Sequence, residues 1–448
     1  MKITVTADKP QDNQLVAKLT VDSADVDRAI KHAYSDIAQK YRFQGFRKGH
    51  APRPMIDAVM GRDAVLAQAT NELLNDAEPL LLEELDIVPV GEVSFGDEPA
   101  LVVEGSDYET EVTLPVRPAC ELDSYDAPAI EMPPAEATEA EIAEQLDQLM
   151  SYRTTYEDIE EDRPAAAGDI VSVDVESIEG GEGLAGKNRL LSLDGHGLPK
   201  DFEEAVVGMS KGETKDVSWT SGEGDNATNI TVKVTLNAIK HAVTPELTDE
   251  VAKESFGYDT VDELREAMKS EIENDKRTSL PGLKEDRLVT ALAEHLTLEE
   301  VPENYVEQVF NETAQNFLSQ LQAQGLTLDT FLQMRGIQPQ DFINDLREQS
   351  AERARQSLAL DALAEHLGFE ATEDDVKAEF EKSGAENPED LMKQWRDAGR
   401  LPAVRESVKR TKALNWLVDN AAVTEVDEVA RRRAEREEAS ESTEESGE

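Results

Sequence analysis

Cysteine is almost missing from this 448-residue chain: Cys120 is its only one. No intramolecular disulfide and no cysteine-based metal cage can form, and a solitary thiol reads as a packed side chain rather than a nucleophile. Aromatic residues are scarce, at 5%, so the cores must be aliphatic and modest. The six histidines are scattered without metal-ligand spacing, which argues against a metalloenzyme, and no cofactor is expected. The N-terminal run Met1-Lys2-Ile3-Thr4-Val5-Thr6-Ala7 lacks the apolar stretch of a signal peptide, and no window suits a membrane span. The expectation is a cytoplasmic protein with no membrane partner. Positive charge is also in deficit, with 45 Lys and Arg against 96 Asp and Glu and a net charge of −51. Such a chain stays soluble and resists indiscriminate adhesion to nucleic acid.

Against that deficit one stretch stands out. Arg28, Lys31, Lys40, Arg42, Arg47, Lys48 and Arg53 are interrupted by a single acid, Asp36. At their centre lies Gly45-Phe46-Arg47-Lys48-Gly49-His50-Ala51-Pro52, two cations and an aromatic between glycines. Glycine allows φ > 0, so the segment reads as a tight loop that presents its side chains outward. A solvated loop with incidental charge is the plain alternative. An anchor for an anionic partner is the functional one, and screening over about 8 Å lets a local basic patch act within an acidic chain.

At this length the chain should divide into two to four domains. Residues 1–115 read as an α/β unit. Lys2–Thr6 and Gln14–Val21 alternate as strands, and Asp22 and Ser23 offer caps for a helix over about 24–42. Val26, Ile30, Tyr34 and Ile37 line one face of that helix. A second long helix over Arg53–Leu85, interrupted near Gly61, places the basic loop at a helix–helix tip. Strands at Glu92–Phe95 and Tyr108–Pro115 follow. Residues 116–163 read as an extended, proline-punctuated linker and a helix begun by a capping box of Thr138 and Glu141.

Residues 164–243 turn to short strands around Gly197-Leu198-Pro199-Lys200-Asp201-Phe202. Residues 244–425 read as helix almost throughout. The phrase Ala-Leu-Ala-Glu-His-Leu occurs at 291–296 and again at 362–367, as an approximate duplication of a helical hairpin would give. His295 and His366 then read as equivalent surface positions rather than a site. The tail, 426–448, is charged and serine-rich and is expected to be disordered.

Gly45-Phe46-Arg47-Lys48-Gly49 with Pro52, and the order of segments along the whole chain, resembles the bacterial trigger factor family. The resemblance implies an α+β multidomain fold: an N-terminal α/β ribosome-binding domain, a small FKBP-like β half-barrel with a central helix, and an all-α chaperone domain with two helical arms. It implies docking through Gly45, Phe46, Arg47, Lys48, Gly49, His50 and Pro52 to protein and rRNA of the large subunit beside the exit tunnel. The chain departs from the family at His50, where a second lysine is common, and a histidine carries at most part of a charge at neutral pH. The implied partners are the ribosome and nascent or unfolded polypeptides, with a homodimer as a form off the ribosome.

The run around Phe202 also resembles the central helix of FKBP-type prolyl isomerases. Isomerisation needs no nucleophile, only a pocket that favours a twisted imide over a barrier of about 18–20 kcal/mol. The resemblance implies a pocket lined by Phe202, Leu198, Val175, Leu184 and Val232. Val175, Leu184 and Val232 stand where aromatics are usual, Ala185 where an aspartate is usual, and the flap is reduced to residues 221–226. Such a pocket keeps its floor and loses most of its walls, and Phe202 reads equally as a core aromatic. In the helical region Phe310, Phe317, Leu321, Phe331, Met334, Phe342, Met392 and Trp395 are core residues or client-binding patches. The alternative reading is a ribosome-independent prolyl isomerase whose helical arms serve dimerisation or substrate delivery.

Overall fold

The computed structural model describes residues 1–96, 98–159, 163–195, 197–221, 228–382, 384 and 387–445. The shortened flap, read as 221–226, lies outside them except for Ser221. By contact the chain forms two compact units, Met1–Met132 with Pro281–Thr424, and Pro133–Leu280 with Glu425–Glu448.

In the first unit β1 (Ile3–Ala7), β2 (Gln14–Val21) and, later, β3 (Tyr108–Pro115) form an antiparallel sheet in the order β1-β2-β3. Alternation along β2 turns Leu15, Ala17, Leu19 and Val21 inward. The helices α1 (Ser23–Lys40), α2 (Arg53–Met60) and α3 (Arg62–Leu85) lie between β2 and β3 in sequence. Asp22 caps α1 by accepting from the Ala24 N–H at 3.0 Å. The expected face of α1 is buried: Val26, Ile30, Tyr34 and Ile37 join the sheet residues in one core with α3. Gly61, at φ +83°, separates α2 from α3. The strand expected at Glu92–Phe95 shrinks to one bridge between Ser94 and Thr113, because Gly91 (φ +137°) and Gly96 (φ +86°) turn the chain on either side.

The linker that follows is strapped down. It runs into β4 (Ala129–Met132). Before that, the Asp123 N–H donates to the His295 carbonyl at 2.9 Å, His295 Nδ1 lies 2.7 Å from the Asp123 carboxylate, and Tyr125 stacks on His366 at 3.8 Å. The histidines of the repeated phrase thus both touch the same short segment. Cys120 is partly buried there, which pushes its thiol up to about 11 and suits a packed residue.

The second unit holds α4 (Glu139–Ser151), whose capping box between Thr138 and Glu141 forms as expected. The strands β5 (Thr155–Asp158), β6 (Ile170–Glu179), β7 (Gly186–Ser192), β8 (Thr214–Ser221) and β9 (Thr228–Val243) make a curled antiparallel sheet, with α5 (Lys200–Val206) between β7 and β8. The long β9 is central. It pairs with β6 along one edge and with β8 and β5 along the other. The short α6 (Asp249–Val251) follows, and α7 (Val261–Glu294) begins here and passes into the first unit at Pro281. Lys276 on α7 is buried, with its ammonium on the carbonyls of Pro134 (2.8 Å) and Glu136 (2.9 Å) and on Glu141 (2.6 Å). All three of its donors are thereby matched.

Back in the first unit, α8 (Glu303–Ala323), α9 (Leu328–Arg335) and α10 (Pro339–His366) form one helical hairpin with α9 at its tip. A second group, α11 (Glu373–Lys382), α12 (Pro388–Asp397) and α13 (Leu401–Asn420), rests on α3. Arg405 bridges Glu83 (2.5 Å) and Asp86 (2.7 Å), and Gly399 leaves no room for a Cβ against Pro79. β10 (Ala422–Glu425) pairs with β4. The tail corrects one expectation: α14 (Glu428–Glu445) is helical instead of disordered. Asp427 accepts from the Ala430 N–H, and Arg432 and Arg433 pair with Glu144 and Asp147 on α4. A stretch with little to bury is therefore held by its cap and by charge.

Arg117 in the linker pairs with Asp361 of α10 (2.6 Å) and with Glu406 of α13, and Arg410 of α13 pairs with Asp361 (2.6 Å). Burial pushes Asp361 up to about 6 and Glu406 to about 7 despite the arginines. A carboxyl raised in the folded state binds protons that the unfolded chain does not. Its stabilisation is therefore present at low pH and lost as pH rises through about 6 to 7. The thermal midpoint of the first unit is expected to fall by about 2–4 °C between pH 5.5 and pH 8. Calorimetry of Glu406→Gln should show a smaller fall.

Candidate functional site

The loop between α1 and α2 is built by its own sequence. Gly45 and Gly49 sit at φ +88° and +86°, where L residues are strained. The Gly49 N–H donates to the Ala38 carbonyl at 2.8 Å, the Phe46 N–H to Phe43 at 3.1 Å and the His50 N–H to Arg47 at 3.0 Å. Phe43 is buried in the core of the first unit and pins the loop, while every residue from 44 to 50 is exposed. Phe46 keeps 40% of its surface in solvent. The loop thus brings Gly45, Phe46, Arg47, Lys48, Gly49, His50 and Pro52 together, as read from the sequence.

The seven cations around it divide into two groups. Arg28 is paired with Asp25, and Arg53 with Glu104 at 2.9 Å. Among the described residues Lys31, Lys40, Arg42, Arg47 and Lys48 have no ion-pair partner, and all five are exposed. Unpaired cations on a loop tip are what an anionic surface can engage at no cost in broken bridges. A shallow concavity beside them is lined by Arg42, Phe43, Gln44, Phe46, Arg47 and Lys48.

In the half-barrel the structure gathers all five residues expected of a pocket into one cluster. Phe202 and Val232 are 0% exposed and Val175 3%, with Leu184 and Leu198 packed against them. Sequence reasoning missed Trp219, whose ring meets Phe202 edge-on at 6.1 Å. Its signal was the alternation of Val217 and Trp219 along β8, which turns both to one face of the sheet. A floor aromatic without solvent exposure cannot touch a peptide until its surroundings open. A cavity of about 840 Å³ lies beside α5, lined by Leu193, Leu198, Glu203 and Val207 among others, and it shares Leu198 with that cluster.

At the α8–α10 hairpin tip Phe317 meets Phe331 at 5.3 Å and Phe342 at 5.2 Å. These three rings are half-buried, Leu321 is buried, and Met334 is 75% exposed. Phe310 lies along α8 under the Arg347 guanidinium, 5.6 Å from its centroid. Leu318 and Ile343, both 42% exposed, extend the apolar surface and were not singled out in the sequence. Met392 and Trp395 instead pack, half-buried, against the core of the α11–α13 group, where Trp395 meets Phe380 edge-on. No helix of the described residues is long and apolar enough to cross a membrane.

Family models described as bacterial trigger factor protein and its C-terminus match residues 1–149 and 260–419. The trigger factor of Staphylococcus carnosus (strain TM300) is 28% identical across 97% of this chain and 100% of its own. That of Lysinibacillus sphaericus (strain C3-41) is 29% identical across 93% of this chain and 99% of its own. A solved chain titled "Promiscuous Substrate Recognition in Folding and Assembly Activities of the Trigger Factor Chaperone" aligns over 94% of this chain and 99% of its own. It is 18% identical, with a TM-score of 0.39.

Proposed function

The chain belongs to the trigger factor family, and on that premise we propose that it is a ribosome-docked chaperone for nascent polypeptides. One observation carries the reading: in a chain of net charge −51, Arg47 and Lys48 stand exposed, with no ion pair among the described residues, on a loop held by two left-handed glycines. Phosphate-rich RNA and acidic protein surfaces of the large subunit are the partners that such a tip fits. Phe46 adds an aromatic face that can stack or enter a groove. The acidic remainder keeps clients soluble and favours basic segments among them.

Residues 1–115 would then dock, 164–243 form the isomerase-like domain and 244–425 hold clients in the cytosol. At the hairpin tip, half-buried Phe317 and Phe331 and exposed Met334 offer an apolar surface over buried Leu321, with Phe310 farther along α8. A flexible, exposed methionine beside a half-buried aromatic cluster can repack against many sequences. For the half-barrel we propose weak prolyl isomerase activity, because Phe202 and Val232 must be uncovered before a proline can enter. The same burial weighs against an enzyme that works apart from the ribosome.

The test is joint. The protein should pellet with translating ribosomes and, free in solution, suppress aggregation of a chemically unfolded client. Its turnover of a short proline peptide should be slow. Failure to pellet would remove the docking reading, and fast turnover without pelleting would favour the independent isomerase.

A further inference from the structure

We propose that Arg53 serves docking as a positioning residue that braces both stems of the 41–52 loop, and not as a cation that touches the anionic partner. The inference rests on the docking reading of Arg47 and Lys48. Sequence counts Arg53 with the other basic residues, but its charge is already committed. Its Nη1 lies 2.9 Å from Glu104 Oε1, and its guanidinium stacks 4.8 Å above the centroid of the Tyr34 ring.

Tyr34 belongs to α1, the stem that enters the loop, and Arg53 opens α2, the stem that leaves it. One turn along α2 from Arg53, Asp57 accepts a hydrogen bond from the Tyr34 hydroxyl at 2.6 Å. Residues four apart share a helix face, so α2 grips one tyrosine twice. Burial, then the Asp57 bond, pushes that phenol up to about 12, and it stays a donor at any physiological pH. Glu104 is itself placed from behind. The Val102 N–H donates to Thr70 Oγ1 at 3.1 Å, and the Gly105 N–H to Asp27 Oδ1 at 2.7 Å. Since residues 44–50 are all exposed, the direction of Arg47 and Lys48 is set by how these stems are held.

The test measures ribosome affinity against salt for Arg53→Ala, Arg53→Lys and Glu104→Gln, with amide exchange of the loop. A contacting cation would give a fall of about 0.7–0.9 in the log–log salt slope for Arg53→Ala. It would also be replaced by lysine, and Glu104→Gln would tighten binding by freeing it. A brace gives the opposite pattern. Arg53→Ala weakens binding about threefold to fivefold at unchanged slope, in keeping with the loss of one stacked cation. Lysine, lacking the planar fork, does not restore it.

Glu104→Gln then weakens binding, and exchange at Gly49 and His50 quickens while the sheet amide of Leu19 and the thermal midpoint hold. General destabilisation would move all of these together. A reduced slope, tighter binding by Glu104→Gln, or unaltered loop exchange overturns the proposal. If Arg47→Ala with Lys48→Ala leaves docking intact, the docking reading has failed, while the exchange data still decide the brace.

Discussion

Replacing Arg47 and Lys48 together with alanine is expected to lower ribosome affinity about 100-fold or more, on the scale of two charge-assisted hydrogen bonds lost. The log–log salt slope should become shallower by about 1.4–1.8, as two fewer phosphates are neutralised. Both side chains are exposed and neither has an ion pair among the described residues, so the fold should not register their loss. Surface changes of that kind stay within about 0.5 kcal/mol. Quantitative pelleting over a salt series, with a thermal melt of the same variant, checks both halves. Client holding in solution should persist, because the α8–α10 hairpin is untouched.

Phe202→Ala is expected to act on stability before it acts on turnover. The ring is 0% exposed and belongs to a core that is otherwise almost wholly aliphatic. Removing a buried phenylalanine costs about 3–5 kcal/mol through lost transfer and the cavity left behind. A domain this small has little reserve against such a loss. The near-ultraviolet signal of Trp219, which meets Phe202 edge-on, should collapse at a lower temperature than in the parent. Docking should survive, since the basic loop is in the other compact unit. A variant that melts like the parent and loses only turnover would instead make Phe202 an open pocket floor.

Local features were the legible ones. The cap of α1, the break at Gly61, the whole of β3 and the capping box at Thr138 were read from neighbours in sequence, because turns and helix ends are decided within a few residues. β5 was missed because four residues without a buried side chain become a strand only through pairing with the far end of β9. Residues 261–294 form a single helix that runs through Pro281. The hydroxyls of Thr278 and Ser279 donate to the carbonyls of Asn274 and Asp275.

The basic loop was legible for the same local reason, since its glycines and cations are contiguous. Which cations are free was only partly so. Arg28 has its partner three residues away, at a spacing that sequence can read, whereas Arg53 is paired with a residue 51 positions away. Burial of Phe202 under Trp219 likewise depends on α5 meeting β8, which no local pattern encodes.

The proposed docking rests on contact between the tip of this loop and the large subunit. Its most direct test places a photoreactive phenylalanine analogue at position 46 and irradiates the protein with translating ribosomes. Phe46 is 40% exposed and accepts such a replacement without disturbing the core. Adducts to large-subunit protein or rRNA beside the exit tunnel are expected, and they should be lost when Arg47 and Lys48 are alanine. Absence of large-subunit adducts from position 46, in a protein that still pellets with ribosomes, would contradict that contact.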